Sequence, residues 1–115
     1  MALVVSDLEQ LGQSALAEFK VEVAQAGHSS EPGLEGQIQR LEARLEQLYA
    51  VAATMAQREE TMEEVAAVWA GMVAVCDAMA ASVSELLHGH SSHSASHDRI
   101  LDIRNACEEN RDLHA

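Results

Sequence analysis

The stretch "AQREETMEE", residues 56–64, decides the fold. On both sides of it, apolar residues recur at alternating spacings of three and four. Upstream they are Leu34, Ile38, Leu41, Leu45, Leu48, Ala52 and Met55. Downstream they are Met62, Ala66, Trp69, Val73, Cys76, Ala80, Val83 and Leu87. The phase passes through the stretch unbroken, and Glu59 is the only charged residue on the seam. About eight heptads in one phase form the pattern of a coiled coil or a long bundle helix.

Two features of the stretch point the other way. Thr61-x-x-Glu64 is a capping box, and Glu59 places a charge on the seam. A break here would give two shorter helices and a compact four-helix bundle. Against a break, Gln57, Arg58, Glu59 and Glu60 are good helix formers, and no Gly or Pro intervenes. We therefore read residues 34–87 as one central helix, roughly 80 Å long at 1.5 Å per residue.

The two halves of this helix differ in character. "LEGQIQRLEARLEQLY" (34–49) is amphipathic, with Glu, Gln and Arg away from the seam. "VAAVWAGMVAVCDAMAASV" (65–83) is apolar nearly all round, with Asp77 its only charge. Opposite its seam lie Ala67, Gly71, Ala74, Ala78 and Ala81, a small-residue stripe that lets another backbone approach closely. A helix apolar on every side is either buried or membrane-spanning. Asp77 is costly in lipid, the flanks lack basic anchors, and the seam continues into the polar half. These features favour burial, and no membrane association is expected.

Shorter helices flank the centre. The first is read over residues 6–26. "SDLE" (6–9) offers a capping box, and Leu8, Leu11, Ala15, Phe19, Val23 and Ala26 form one face. Gly27 suits a C-cap, and Ser30 with Pro32 suits the start of the next helix. The last is read over residues 97–113, opened by Ser96 or Asp98, with Ile100, Ile103, Cys107 and Asn110 on its face. Residues 88–96 form a His/Ser-rich connection. The expected fold is one all-α domain, a helical bundle on a long heptad-repeat helix flanked by two shorter antiparallel helices. Two such helices cannot cover a segment that is apolar all round. A second copy, or a helical protein partner, is expected to complete the bundle, a symmetric homodimer being the simplest solution.

Composition narrows the function. Hydrophobic residues are 48% of the chain, aromatics 3%, and there is one proline, as in all-helical proteins. Nineteen acidic and seven basic residues give a formal charge of −12. Nucleic acid is not an expected partner, because phosphate binding needs clustered Lys and Arg. Six protonated histidines would bring −12 to −6, so mild acid changes the surface field. Two cysteines in no motif suit a reducing compartment, and the N-terminus has neither a basic n-region nor a long apolar run. A cytoplasmic location is expected.

One local cluster offers chemistry. "HGHSSHSASH" (88–97) contains His88, His90, His93 and His97. Imidazoles at such gaps suit zinc, nickel or copper. Asp98, Cys107 and His114 would add ligands if the last helix folds back toward them. No zinc-finger or HExxH spacing accompanies the histidines, so a polar linker is the competing reading, and no other cofactor is expected. Glu85-Leu86-Leu87-His88 has di-metal spacing but stands alone. Cys76 reads as a buried thiol. Glu108 and Glu109 beside Cys107 would raise its pKa. No catalytic constellation is legible. The sequence points to a non-enzymatic protein acting by helix–helix association, as an oligomeric scaffold, adaptor or small assembly subunit. Its expected interface is Leu41, Leu45, Leu48, Met55, Met62, Trp69, Gly71, Met72, Ala74 and Ala78. The alternative is a metal-binding or pH-responsive protein working through the histidine stretch.

Overall fold

The computed structural model describes residues 4–26, 31–88 and 94–114, and these are helical almost throughout. Four helices follow one another: α1 (Val5–Ala26), α2 (Glu31–Arg58), α3 (Met62–Leu87) and α4 (Ala95–His114). The single central helix is thus corrected to two, separated at Glu59–Thr61. The longest dimension of the fold is 48 Å, well short of the roughly 80 Å that an unbroken helix would span.

The break has a local and a tertiary cause. Thr61 takes an extended conformation (φ −115°, ψ 150°), and its Oγ1 accepts the Glu64 N–H at 3.1 Å. Its hydroxyl also reaches the Glu64 carboxylate at 2.8 Å. This is N-capping: a side-chain oxygen satisfies an amide that the first turn leaves without a partner. Helix propensity at residues 57–60 amounts to tenths of a kcal/mol per residue. Folding α3 back on α2 buries the seams of both in one core, which is worth far more. The heptad phase survives because both halves of the seam face the same core.

The other helix ends also shift from the sequence reading. α1 begins at Val5, so Ser6 lies within its first turn and does not cap it. Asp7 Oδ2 instead accepts the Val4 N–H at 3.0 Å. α2 opens at Glu31 with Pro32 in its first turn, where a missing N–H costs no helical bond. α4 begins at Ala95, two residues before the expected start. Ser94 Oγ accepts the His97 N–H at 3.1 Å, and Ser96 is fully buried. The expected caps at Gly27 and Ser30 fall outside the described residues.

Packing is set by α2 and α3. Each touches the other, and both α1 and α4 lie against the pair, while α1 and α4 do not meet among the described residues. The cross-section is therefore flattened, 27 by 16 Å. Arg44 pairs with Glu18, and Arg40 with Glu22 at 3.7 Å, so α1 and α2 run in opposite directions. α3 and α4 share the most extensive interface. The core gathers Leu8 and Phe19 from α1, and Ile38, Leu41 and Leu45 from α2. α3 adds Trp69, Met72, Met79 and Val83, and α4 adds Ile100. Tyr49 joins three helices. Its ring lies 5.2 Å from that of Trp69, and its hydroxyl accepts a 3.2 Å hydrogen bond from Asn110 Nδ2.

Candidate functional site

Most of the expected interface lies inside the chain. Leu41, Leu45, Leu48, Met55, Trp69, Gly71 and Met72 are buried among helices of the same molecule. Three of the ten expected residues reach the surface: Met62, at 61% exposure, with Ala74 and Ala78. This burial follows from the break at Glu59–Thr61. Once α3 folds back, α1, α2 and α4 cover the sides of α3 that sequence reading assigned to another chain.

What α3 leaves uncovered is a strip of alanines. Ala67, Ala70, Ala74, Ala78 and Ala81 are all exposed, and their spacings of three and four place them on one face. Gly71, read as part of the same stripe, instead packs under α1. A Cβ there would lie 2.7 Å from Val5 Cγ1. Gly12 on α1 does the same for α3, its missing Cβ lying 2.6 Å from Val75 Cγ1. Sequence reading placed Leu11 on the α1 core face, yet Leu11 is 47% exposed and Gly12 is buried. The signal was the spacing Leu8, Gly12, Ala15, Phe19, which is as regular as the one through Leu11.

Beside the alanine strip, α1 and α3 enclose a shallow groove of about 170 Å³. Gly12, Leu16, Ala74, Val75 and Ala78 line it, with Glu9 and Gln13 at its edge. Asp77, the one charge in the apolar part of α3, accepts from Arg104 Nε at 2.9 Å, and Arg104 also pairs with Glu108. Across four turns the strip thus presents methyl groups flanked by a neutralised charge.

The histidine stretch is only partly described. His88 is exposed at the end of α3, where its N–H donates to the Glu85 carbonyl at 3.3 Å. His97 is half-buried in the first turn of α4. His90 and His93 lie outside the described residues. Among the described residues, no group of three or more His, Cys, Asp or Glu side chains converges to hold a metal ion. Of the extra ligands weighed in sequence, Asp98 adjoins His97 in the first turn of α4, and the other two lie far from it. Cys107 and His114 are ten and seventeen residues further along the same helix, roughly 15 and 25 Å away. His114 Nδ1 lies 2.8 Å from the Asn110 carbonyl, and Cys107 faces α3.

A partly buried polar cluster, not visible in sequence, joins α2 to the start of α4. Glu35 Oε1 accepts the Ser96 N–H at 3.1 Å, Arg99 Nη2 donates to Ser96 Oγ at 3.0 Å, and Arg99 Nε pairs with Glu42. The Glu42 side chain is 6% exposed. Burial pushes the Glu35 carboxyl up, but the hydroxyls of Ser94 and Ser96, the Ser96 N–H and the Arg99 charge together outweigh it, and its pKa is lowered. The cluster satisfies the first turn of α4, where N–H groups lack helical partners. At the α2–α3 break, the hydrogen bond to Glu64 raises the pKa of Glu59. Hydrogen bonds to Thr61 and then Glu59 lower that of Glu64.

Compared with known proteins, the chain matches no family model, no curated protein and no solved structure.

Proposed function

We propose that this chain is a non-enzymatic assembly subunit that works by helix–helix association, and that it docks through the alanine face of α3 onto the same face of a second copy. The observation that carries this reading is the exposed half of α3. Its most apolar 18-residue window has a mean hydropathy of 1.7, and half of that window is buried by the chain itself. By length and composition alone the helix could cross a membrane. Its three-sided cover by α1, α2 and α4, and the Asp77–Arg104 pair, favour a core helix with one open face.

The open face suits a helix better than a small ligand. Alanine side chains are short, so two such faces approach closely and gain dispersion contacts along several turns. They lose almost no rotamer entropy in doing so. An isologous pair needs a surface that complements itself, and a flat methyl strip with its charge neutralised at the edge meets that need. The half-buried Leu16, which lines the adjoining groove with Ala74 and Ala78, extends the apolar area at its margin.

Light scattering on the purified chain tests the proposal. A particle of twice the 12.4 kDa chain mass at micromolar concentration is expected. A well-folded monomer under those conditions would overturn self-association.

A further inference from the structure

We propose that Cys76 and Cys107 form a dithiol that oxidises to an intrachain disulfide, cross-linking α3 to α4 when the chain meets a low-molecular-weight disulfide such as oxidised glutathione. Both residues are free thiols and both are 0% exposed. They lie in one core cluster, on the two helices that share the most extensive interface of the fold, close enough for each thiol to perturb the other. The Arg104–Asp77 ion pair, beside the same turns, holds the two helices in this register.

Helix geometry permits the bond. Packed helices lie ~8–10 Å apart, and each carries its Cα atoms ~2.3 Å from the axis. Facing Cα atoms on a seam are then roughly 3.5–5.5 Å apart, which overlaps the separations that disulfides span. The loop closed by the bond runs from the middle of α3 through the histidine stretch to the middle of α4.

The pair has an internal division of labour. Hydrogen bonding to Cys107, then burial, holds the Cys76 thiol far above the ordinary cysteine range. Hydrogen bonding to Cys76 lowers the pKa of Cys107. The Cys107 thiolate therefore attacks one sulfur of oxidised glutathione and releases the first glutathione thiolate. The Cys76 sulfur then displaces the second from the mixed disulfide on Cys107. Two thiols become one disulfide, and their two protons leave with the two glutathiones. The dithiol loses the two electrons that reduce oxidised glutathione. Because the closed interface excludes the oxidant, the reaction waits on transient opening of α4 from α3.

The test uses the full-length chain with oxidised glutathione, followed by acid quenching, intact mass measurement and peptide mapping. The expected product is lighter than the dithiol by two hydrogens and yields one cross-linked peptide pair joining Cys76 to Cys107. Its melting midpoint is expected roughly 5–15 °C above that of the reduced chain. Urea below the unfolding transition should speed its formation. Cys76→Ser and Cys107→Ser should each lose the cross-link and the shift. Three results would overturn the proposal: glutathione retained on both cysteines, disulfides only between chains, or thiols that stay unmodified in urea that opens α4.

Discussion

Gly12 of α1 sits against Val75 of α3 so closely that a Cβ on Gly12 would lie 2.6 Å from one Val75 methyl and 2.8 Å from the other. The valine is buried and β-branched, and such a side chain on a helix strongly prefers one χ1 rotamer, so it yields little. Gly12→Ala gains about 1 kcal/mol of helix propensity and loses about 1–3 kcal/mol to overpacking. We expect net destabilisation of about 0.5–2 kcal/mol by urea unfolding, largely reversed by Val75→Ala in the same chain. Gly36 supplies the contrast, since nothing lies within 4 Å of its added Cβ. Gly36→Ala should stabilise by about 0.5–1 kcal/mol. Equal shifts at the two glycines would contradict the close α1–α3 approach.

The α2–α3 break depends on its cap. Thr61→Ala removes the oxygen that accepts the Glu64 N–H and should cost about 1 kcal/mol in chemical denaturation. Thr61→Ser and Thr61→Asp should retain most of the stability. If alanine were harmless there, the break would not rest on Thr61.

Glu35 should give a pH signature. Its pKa is lowered in the folded chain, so its contribution is fully present above the unfolded value. That contribution is lost as pH falls through the lower folded value. Glu35→Gln should therefore destabilise by about 1 kcal/mol near neutrality, where the charged acceptor holds the Ser96 N–H. The gap to wild type should close as pH falls below about 4. A gap that is constant across that range would show that the carboxylate charge is irrelevant.

The Glu42–Arg99 pair should behave as a unit. Arg99→Met leaves the buried Glu42 carboxylate without its cation and should lower the urea unfolding midpoint. Adding Glu42→Met should restore most of the loss. A double variant as unstable as the sum of the singles would contradict this pairing.

Sequence legibility followed the range of the interactions. The seam was plain because each of its members is set by local helical spacing, and Ile38, Leu41, Leu45, Trp69, Cys76 and Val83 are all buried. The break was visible as Thr61-x-x-Glu64, yet good helix formers and an unbroken phase concealed it. Fold-back is a tertiary choice that leaves the phase unchanged. The Ser96–Glu35 and Arg99–Glu42 contacts join residues about sixty positions apart, and no local pattern announces them. Cys76 and Cys107 each read as apolar-face positions, but their meeting depended on how α4 returns along α3. Of the stripe read from sequence, Ala67, Ala74, Ala78 and Ala81 are exposed on one face of α3, with Ala70 beside them. Gly71 left it because α1 needed that space.

Sedimentation velocity of the wild-type chain and of Ala74→Glu, over one concentration series, tests most directly whether the alanine face of α3 joins two copies. Ala74 is exposed, so the glutamate should leave the fold and its thermal unfolding nearly unchanged. Wild type is expected at twice the 12.4 kDa chain mass, and Ala74→Glu at 12.4 kDa. A wild-type chain that remains monomeric, or an Ala74→Glu chain that remains dimeric, would contradict the account.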